Sequence, residues 1–90
     1  MVKNEHYLWL KNSICKNYSF EVILNAINYL KNDIQAKINI NENKKIDIKE
    51  FHNIENKTDL SRNHFHILIT IFLDNTIIDI KYVINNYFKK

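Results

Sequence analysis

Apolar residues recur at intervals of three and four along most of the chain, and this spacing predicts amphipathic α-helices. A first helix is predicted from Glu5 to Lys16, with Asn4 as its N-cap and Tyr7, Leu10 and Ile14 on one apolar face. The clearest helix begins after Ser19, and its apolar stripe consists of Phe20, Ile23, Ile27, Leu30, Ile34 and Ile38. We expect this second stripe to form part of the core.

A third helix is predicted after a polar stretch at 39–45, which interrupts the helical pattern. Asp47 and Glu50 form an Asp-x-x-Glu capping box, because each side chain can accept a backbone N–H that the first turn leaves without a partner. The periodic pattern that follows extends to about Asn56. The box therefore predicts where this helix begins, and the pattern predicts where it ends.

The fourth predicted helix is apolar on almost every side. Ser61 or Asp59 can cap it, and it continues through Leu73, with 65–73 almost entirely hydrophobic. A helix of this kind is either sandwiched in the centre of a bundle or half covered in the monomer. In the second case it supplies a surface for a partner.

The last helix is predicted to start at Asp79, after an extended pair formed by Ile77 and Ile78, and to end near Phe88. Ninety residues suffice for one domain and no linker divides them, so we predict a single helical domain over 1–90. The predicted fold class is therefore all-α, a small bundle of about five helices.

Composition adds little to this picture. Ile, Asn and Lys dominate, as expected for a coding sequence rich in A and T, and Gly and Pro are absent. The net charge of +3 is compatible with nucleic acid or acidic partners, although solvated surface lysines explain it as well. The lone Cys15 is expected to be a small buried hydrophobe. Without a signal-like or membrane-length apolar run, we expect a cytoplasmic protein, of a cell or of an infected host.

A short phrase occurs twice, as Ile46-Asp47-Ile48-Lys49 and as Ile78-Asp79-Ile80-Lys81, with 32 residues between the two starts. Around the first copy, oxygen-bearing side chains fall at positions 1, 3, 5, 9 and 12 of a twelve-residue loop, and these residues are Asn39, Asn41, Asn43, Asp47 and Glu50. This spacing resembles the EF-hand calcium loop of calmodulin-like proteins and myosin light chains. The resemblance implies a degenerate EF-hand pair with a two-residue β-bridge between Ile46 and Ile78.

The chemistry of this loop argues against calcium binding, so we interpret it as vestigial. Only Asp47 and Glu50 carry charge, and Lys44 occupies the turn position that the family fills with Gly. The second copy places Ile71 and Leu73 at ligand positions and Tyr82 at the last one. The resemblance then implies a lobe that clasps a helix of a partner protein without calcium.

No motif indicates catalysis. The sequence contains no nucleophile elbow, phosphate loop or paired-carboxylate motif, and we expect a protein that is not an enzyme and needs no cofactor. His64 and His66 are two residues apart, so on a helix they point about 200° apart and cannot share a metal ion unaided. We therefore predict no metal site.

We interpret the chain as a protein-interaction module of light-chain or adaptor type that binds an amphipathic helix in an apolar groove. The candidate anchors lie off the clearest core stripes and are Trp9, Ile67, Ile71, Tyr82 and Phe88. One alternative is a winged helix-turn-helix nucleic-acid-binding protein, with a recognition helix opening at 60–65 and a first wing strand at 76–80. A second is a viral or parasite host-interaction adaptor with a death-fold-like helical bundle.

Overall fold

The computed structural model describes residues 2–34 and 48–89, with backbone alone at 33–34 and 48–51. Within these ranges the chain forms five helices and no strand. Helix α1 spans Asn4–Trp9 and continues as a π-helical segment, Leu10–Cys15, while α2 spans Phe20–Tyr29 and continues likewise as Leu30–Ile34. Helices α3, α4 and α5 span Ile48–Lys57, Arg62–Asp74 and Ile77–Phe88. The predicted all-α bundle is confirmed.

Three helices begin at a hydroxyl side chain that accepts a backbone N–H of the first turn. Ser19 caps α2, with its Oγ 3.2 Å from the Val22 nitrogen, and Ser61 caps α4, with its Oγ 3.4 Å from the His64 nitrogen. Of the two predicted N-caps of α4, Ser61 and Asp59, Ser61 is therefore the one that caps the helix. Each cap satisfies a donor that would otherwise lack a partner at the end of its helix.

The start of α5 differs from the prediction. Thr76 is the N-cap, with its Oγ1 3.1 Å from the Asp79 nitrogen, so Ile77 and Ile78 belong to the first helical turn and are not extended. Asp79 occupies the third helical position of a Thr-x-x-Asp capping box, where a carboxylate is also favourable. Ile78 therefore lacks the extended backbone that a β-bridge requires, and Ile46 lies outside the described residues.

Helix α4 is the centre of the bundle. Its buried side chains are Phe65, Leu68, Ile69, Ile71 and Phe72, and they join one continuous core with residues of α1, α2, α3 and α5. Of the two arrangements expected for this apolar helix, α4 adopts the central one, packed between other helices of the bundle. Within the described part of α2, the predicted core positions Ile23, Ile27 and Leu30 are fully buried, whereas Phe20 is partly exposed.

Helix α1 buries two of the three residues predicted for its apolar face, and His6 is buried in place of the third, Tyr7. Its N-cap is Lys3, with Asn4 inside the helix, and the buried side chains include His6, Leu10 and Ile14, whereas Tyr7 is 39% exposed. The reason is the π-helical segment, whose i→i+5 hydrogen bonds make each turn wider than the 3.6 residues of an α-helix. Wider turns bring every fourth residue to the core.

Cys15 is buried as predicted, and desolvation raises the pKa of its thiol to about 11 from a usual value of 9.0. Only the thiolate attacks disulfide reagents. At pH 8 the native protein should therefore react with a disulfide reagent about 100-fold more slowly than the chain unfolded in urea. Absorbance of the released thiol measures both rates, and equal rates would mean that Cys15 is exposed.

Candidate functional site: a groove between α1 and α5

An open groove with a volume of about 640 Å³ lies between α1 and α5. One wall consists of Val2, α1 and its π-helical continuation, and the other is α5. The lining residues are Val2, Asn4, Tyr7 and Lys11 on the first wall and Asp79, Tyr82, Val83, Asn86 and Tyr87 on the second. On each wall they recur at helical spacing, so each wall is one face of a helix.

Asn75 joins the starts of α1 and α5. Its Oδ1 accepts the backbone N–H of Lys3 at 3.1 Å, and its Nδ2 donates to the carbonyl of Ile71 at 2.8 Å. The same Nδ2 lies 2.9 Å from Nδ1 of the buried His6, which must accept because an amide nitrogen only donates. The Asn75 side chain thereby hydrogen-bonds a carbonyl near the end of α4, the imidazole of His6 and the backbone N–H at the start of α1.

The two walls run in the same direction. Their starts meet at Asn75, and at the other end the ring of Phe88, in the last turn of α5, lies 5.5 Å from the ring of Phe20 at the start of α2. Helix α2 follows closely after the end of α1, at Cys15. Because both ends coincide, α1 and α5 are parallel neighbours and the groove follows their length.

Tyrosine is the most frequent residue type in the lining of the groove. Tyr7, Tyr82 and Tyr87 supply three phenol rings, and Tyr82 is 64% exposed. Ile78 lies one turn before Tyr82 on α5 and is 79% exposed, so the apolar surface continues beyond the groove rim. Tyrosine rings combine a large apolar area with a hydroxyl that can hydrogen-bond, which is why they are enriched at protein interfaces.

Two charged side chains line the groove, Lys11 on the α1 wall and Asp79 on the α5 wall. The ammonium of Lys11 lies 5.3 Å from the centre of the Tyr7 ring, a cation–π contact that holds it against the α1 wall. On the other wall, hydrogen bonds with the Thr76 side chain and with the amino terminus of the chain lower the pKa of the Asp79 carboxyl, which therefore stays anionic at neutral pH. Asp79 lies in the first turn of α5, whereas Lys11 lies towards the opposite end.

The five predicted anchors do not form one surface. Tyr82 lines the groove, but Ile71 is completely buried, so its prediction as a surface anchor is wrong. Ile71 belongs to the core because α4 is covered on the side that faces α1 and α5. Trp9 is 37% exposed beside His6, and Ile67 and Phe88 are partly buried against the core. Tyr7 and Tyr87 also line the groove and were not among the predicted anchors.

The residues of the predicted calcium loop fall mainly outside the described ranges. Asn39, Asn41, Asn43 and Asp47 lie there, and Glu50 is described only as backbone of α3. The winged-helix alternative predicted a strand at 76–80, but these residues form the N-cap and the first turn of α5. No helix in the described ranges is both long and apolar enough to cross a bilayer.

A second polar cluster joins the α1–α2 connection to the start of α4. The Tyr18 hydroxyl accepts the Ser61 backbone N–H at 2.9 Å and lies 2.7 Å from Nδ1 of His64, while Ser61 Oγ lies 3.0 Å from the same nitrogen. The Tyr18 and His64 rings also meet edge to face at 5.2 Å. With Ser61 engaged as the helix cap, this cluster has a structural explanation. Among the described residues no group of three or more metal-ligating side chains is assembled.

No protein-family model, curated protein or solved structure matches this chain. The functional interpretation therefore rests on the groove.

Proposed function

We propose that this chain is a non-catalytic protein-interaction module, of light-chain or adaptor type, which binds an amphipathic helix of a partner protein in the α1–α5 groove without calcium. The observation that supports the proposal is the exposed aromatic surface of two parallel helices, with Tyr82 at its centre. A cytoplasmic setting accords with the single cysteine, which cannot form an internal disulfide.

The shape of the groove favours a helix over a small molecule. Small-molecule sites bury most of their ligand's surface, which requires walls on several sides. Here Tyr82 is 64% exposed and Tyr7 is 39% exposed, so the groove is open along its length. Two neighbouring parallel helices instead present the ridges and grooves into which a third helix packs.

The size of the groove fits a short helical segment. Asp79 and Tyr87 are eight residues apart on α5, a rise of about 12 Å. A partner helix of about three turns covers that length and presents its own apolar residues at intervals of three and four. Tyr82 faces the middle of such a segment, where interface residues contribute most to affinity.

A selection experiment tests the proposal. A display library of helix-forming peptides with one apolar stripe is selected against the immobilised protein in the presence of a calcium chelator. Replacement of Tyr82 by Ala should raise the dissociation constants of the selected peptides by roughly 30-fold. This is the effect expected when an interface residue that contributes about 2 kcal/mol is lost. Fluorescence anisotropy of labelled peptides measures the dissociation constants.

The matched control is Tyr29→Ala. Tyr29 lies on α2, is 41% exposed and does not line the groove, so its removal deletes a comparable exposed ring elsewhere. We expect Tyr29→Ala to bind as the unmodified protein does, and both variants to keep their melting temperatures within a few degrees. If the library yields no binder, or if both variants lose affinity equally, the groove is not the binding site.

A further inference from the structure

The side-chain amide of Asn75 is held in one orientation by its two backbone partners. The Lys3 N–H can only donate, so the amide atom that faces it at 3.1 Å must be Oδ1. The Ile71 carbonyl can only accept, so the amide atom that faces it at 2.8 Å must be Nδ2. The amide therefore cannot exchange the positions of its oxygen and nitrogen without losing both hydrogen bonds.

This orientation determines the protonation state of His6. The Asn75 Nδ2 lies 2.9 Å from His6 Nδ1, which must be the unprotonated nitrogen of the ring, so the neutral imidazole carries its proton on Nε2. Only 3% of His6 is exposed, so water cannot replace a hydrogen bond that is lost at Nδ1. A proton on Nδ1 would set two N–H donors against each other inside the junction between α1 and α4.

The charged groups around His6 offset this conflict only in part. Asp74, at the end of α4, has a carboxylate oxygen 4.0 Å from Nε2, and this attraction favours a protonated ring. The carboxylate is 47% exposed and also lies 4.0 Å from the Lys3 ammonium, so solvent and a second cation weaken its effect. Glu5 is exposed on α1, and Asp79 of α5 belongs to the groove lining, which does not include His6. Because the donor at Nδ1 is buried and in direct contact, the conflict there outweighs the attraction at Nε2.

We infer that His6 is a proton switch whose protonation separates the start of α1 from the end of α4, so that the groove is complete at neutral pH and loses its α1 wall in acid. A histidine of an unfolded chain takes up its proton near pH 6.5. Because the docked state disfavours this proton, the docking of α1 is fully stable above that pH and weakens as the pH falls below it. The link to partner binding rests on the proposed function, whereas the switch itself is a property of the fold.

His64 provides an internal control for the switch. Its Nδ1 faces two hydroxyl oxygens, that of Tyr18 at 2.7 Å and that of Ser61 at 3.0 Å. A hydroxyl oxygen can donate or accept, so either partner can accept from a protonated His64 once its own hydrogen turns away. Protonation therefore reverses hydrogen bonds in that cluster without breaking it, and we expect no loss of docking from His64.

The free protein allows the switch to be tested without any partner. Trp9 is the single tryptophan of the chain, and its ring lies 5.0 Å from the His6 ring, so its fluorescence reports the position of α1. Titration from pH 8 to pH 5 should shift the emission to the red and lower the melting temperature by roughly 5–10 °C. After correction for the intrinsic effect of pH on exchange, the hydrogen-exchange protection of α1 should fall roughly tenfold more than that of α2.

His6→Asn separates the switch from other effects of acid. The Asn side chain places an oxygen near the position of Nδ1, where it can accept from Asn75 and cannot take up a proton in this pH range. We expect the fall in melting temperature to shrink by at least half in His6→Asn and to persist in the control His64→Asn. Nitrogen NMR of the imidazoles in the unmodified protein needs no variant, and at pH 7.5 it should find Nδ1 of His6 without a proton.

The outcomes separate the switch from the proposed function. The switch is wrong if acid leaves the Trp9 emission and the α1 amides unchanged, if acid raises the melting temperature, or if Nδ1 of His6 carries a proton at pH 7.5. None of these results affects the binding of peptides at neutral pH, on which the proposed function depends.

Peptide binding then tests what the switch controls. A histidine-free peptide selected at pH 7.5 should bind roughly fivefold more weakly at pH 5, and His6→Asn should remove the difference. Equal binding at both values of pH while α1 detaches would show that the switch does not control the groove. If no peptide binds at pH 7.5, the proposed function fails, and the measurements on the free protein still decide the switch.

Discussion

Replacement of Ile71 by Asp is expected to unfold the protein. Ile71 has no exposed surface and packs in the core around α4. Loss of a buried aliphatic side chain costs about 2–5 kcal/mol, and an unpaired buried carboxylate adds several kcal/mol more. A domain of this size has a total stability of about 5–15 kcal/mol, so few molecules of the variant should remain folded at 25 °C. Far-ultraviolet circular dichroism during urea titration measures the change.

Ile78→Asp is the matched control for this experiment. It makes the same substitution in α5, at a side chain that is 79% exposed, and it adds a negative charge in the first helical turn, where such a charge is favourable. We expect the free energy of unfolding of this variant to stay within about 0.5 kcal/mol of that of the unmodified protein. A folded Ile71→Asp protein would show that α4 is not the centre of the bundle.

Replacement of Asn75 by Ala should destabilise the protein by about 2–4 kcal/mol. The change removes hydrogen bonds to Lys3, His6 and Ile71, each worth about 0.5–1.5 kcal/mol, and leaves the buried His6 Nδ1 without its donor. In a domain of this length the melting temperature should fall by more than about 10 °C. Differential scanning calorimetry measures the shift.

Asn85→Ala is the control for Asn75→Ala. Asn85 is exposed in α5, so its replacement by a better helix former should change stability little or raise it slightly. A small loss of stability in Asn75→Ala, similar to that in Asn85→Ala, would show that the hydrogen bonds of Asn75 do not hold α1 against α4. The groove would then lack the fixed junction at which its two walls begin.

Much of the fold could be predicted from the sequence, because helical periodicity and hydroxyl caps are local signals. The start of α2 after Ser19 and of α4 after Ser61 both follow from a side chain that reaches only three residues ahead. The error at α5 arose from the same rule, since Thr76 and Asp79 both favour a helix start and the sequence alone does not rank them. The Thr76 hydroxyl accepts the Asp79 N–H, which fixes the earlier start.

The candidate site was less predictable because it depends on tertiary contacts. Tyr82 was predicted as an anchor from its position off the core stripes, whereas Tyr7, which also lines the groove, was placed on the apolar face of the first helix. The i→i+5 hydrogen bonding of Leu10–Cys15 reverses that assignment, and no local sequence signal announces it. Ile71 was misplaced for the converse reason, since an apolar helix does not reveal which of its faces its neighbours will cover.

The wider turns at Leu10–Cys15 also determine how α1 would respond to a change in length. The i→i+5 hydrogen bonds of this segment enclose one residue more than those of an α-helix, so a single-residue deletion there, for example of the exposed Asn12, would let the segment close as a regular α-helix. The side chains before the segment would then keep nearly the same direction, with His6 beside Asn75 and Tyr7 in the groove. The segment is therefore the place where α1 can lose one residue without rebuilding the groove.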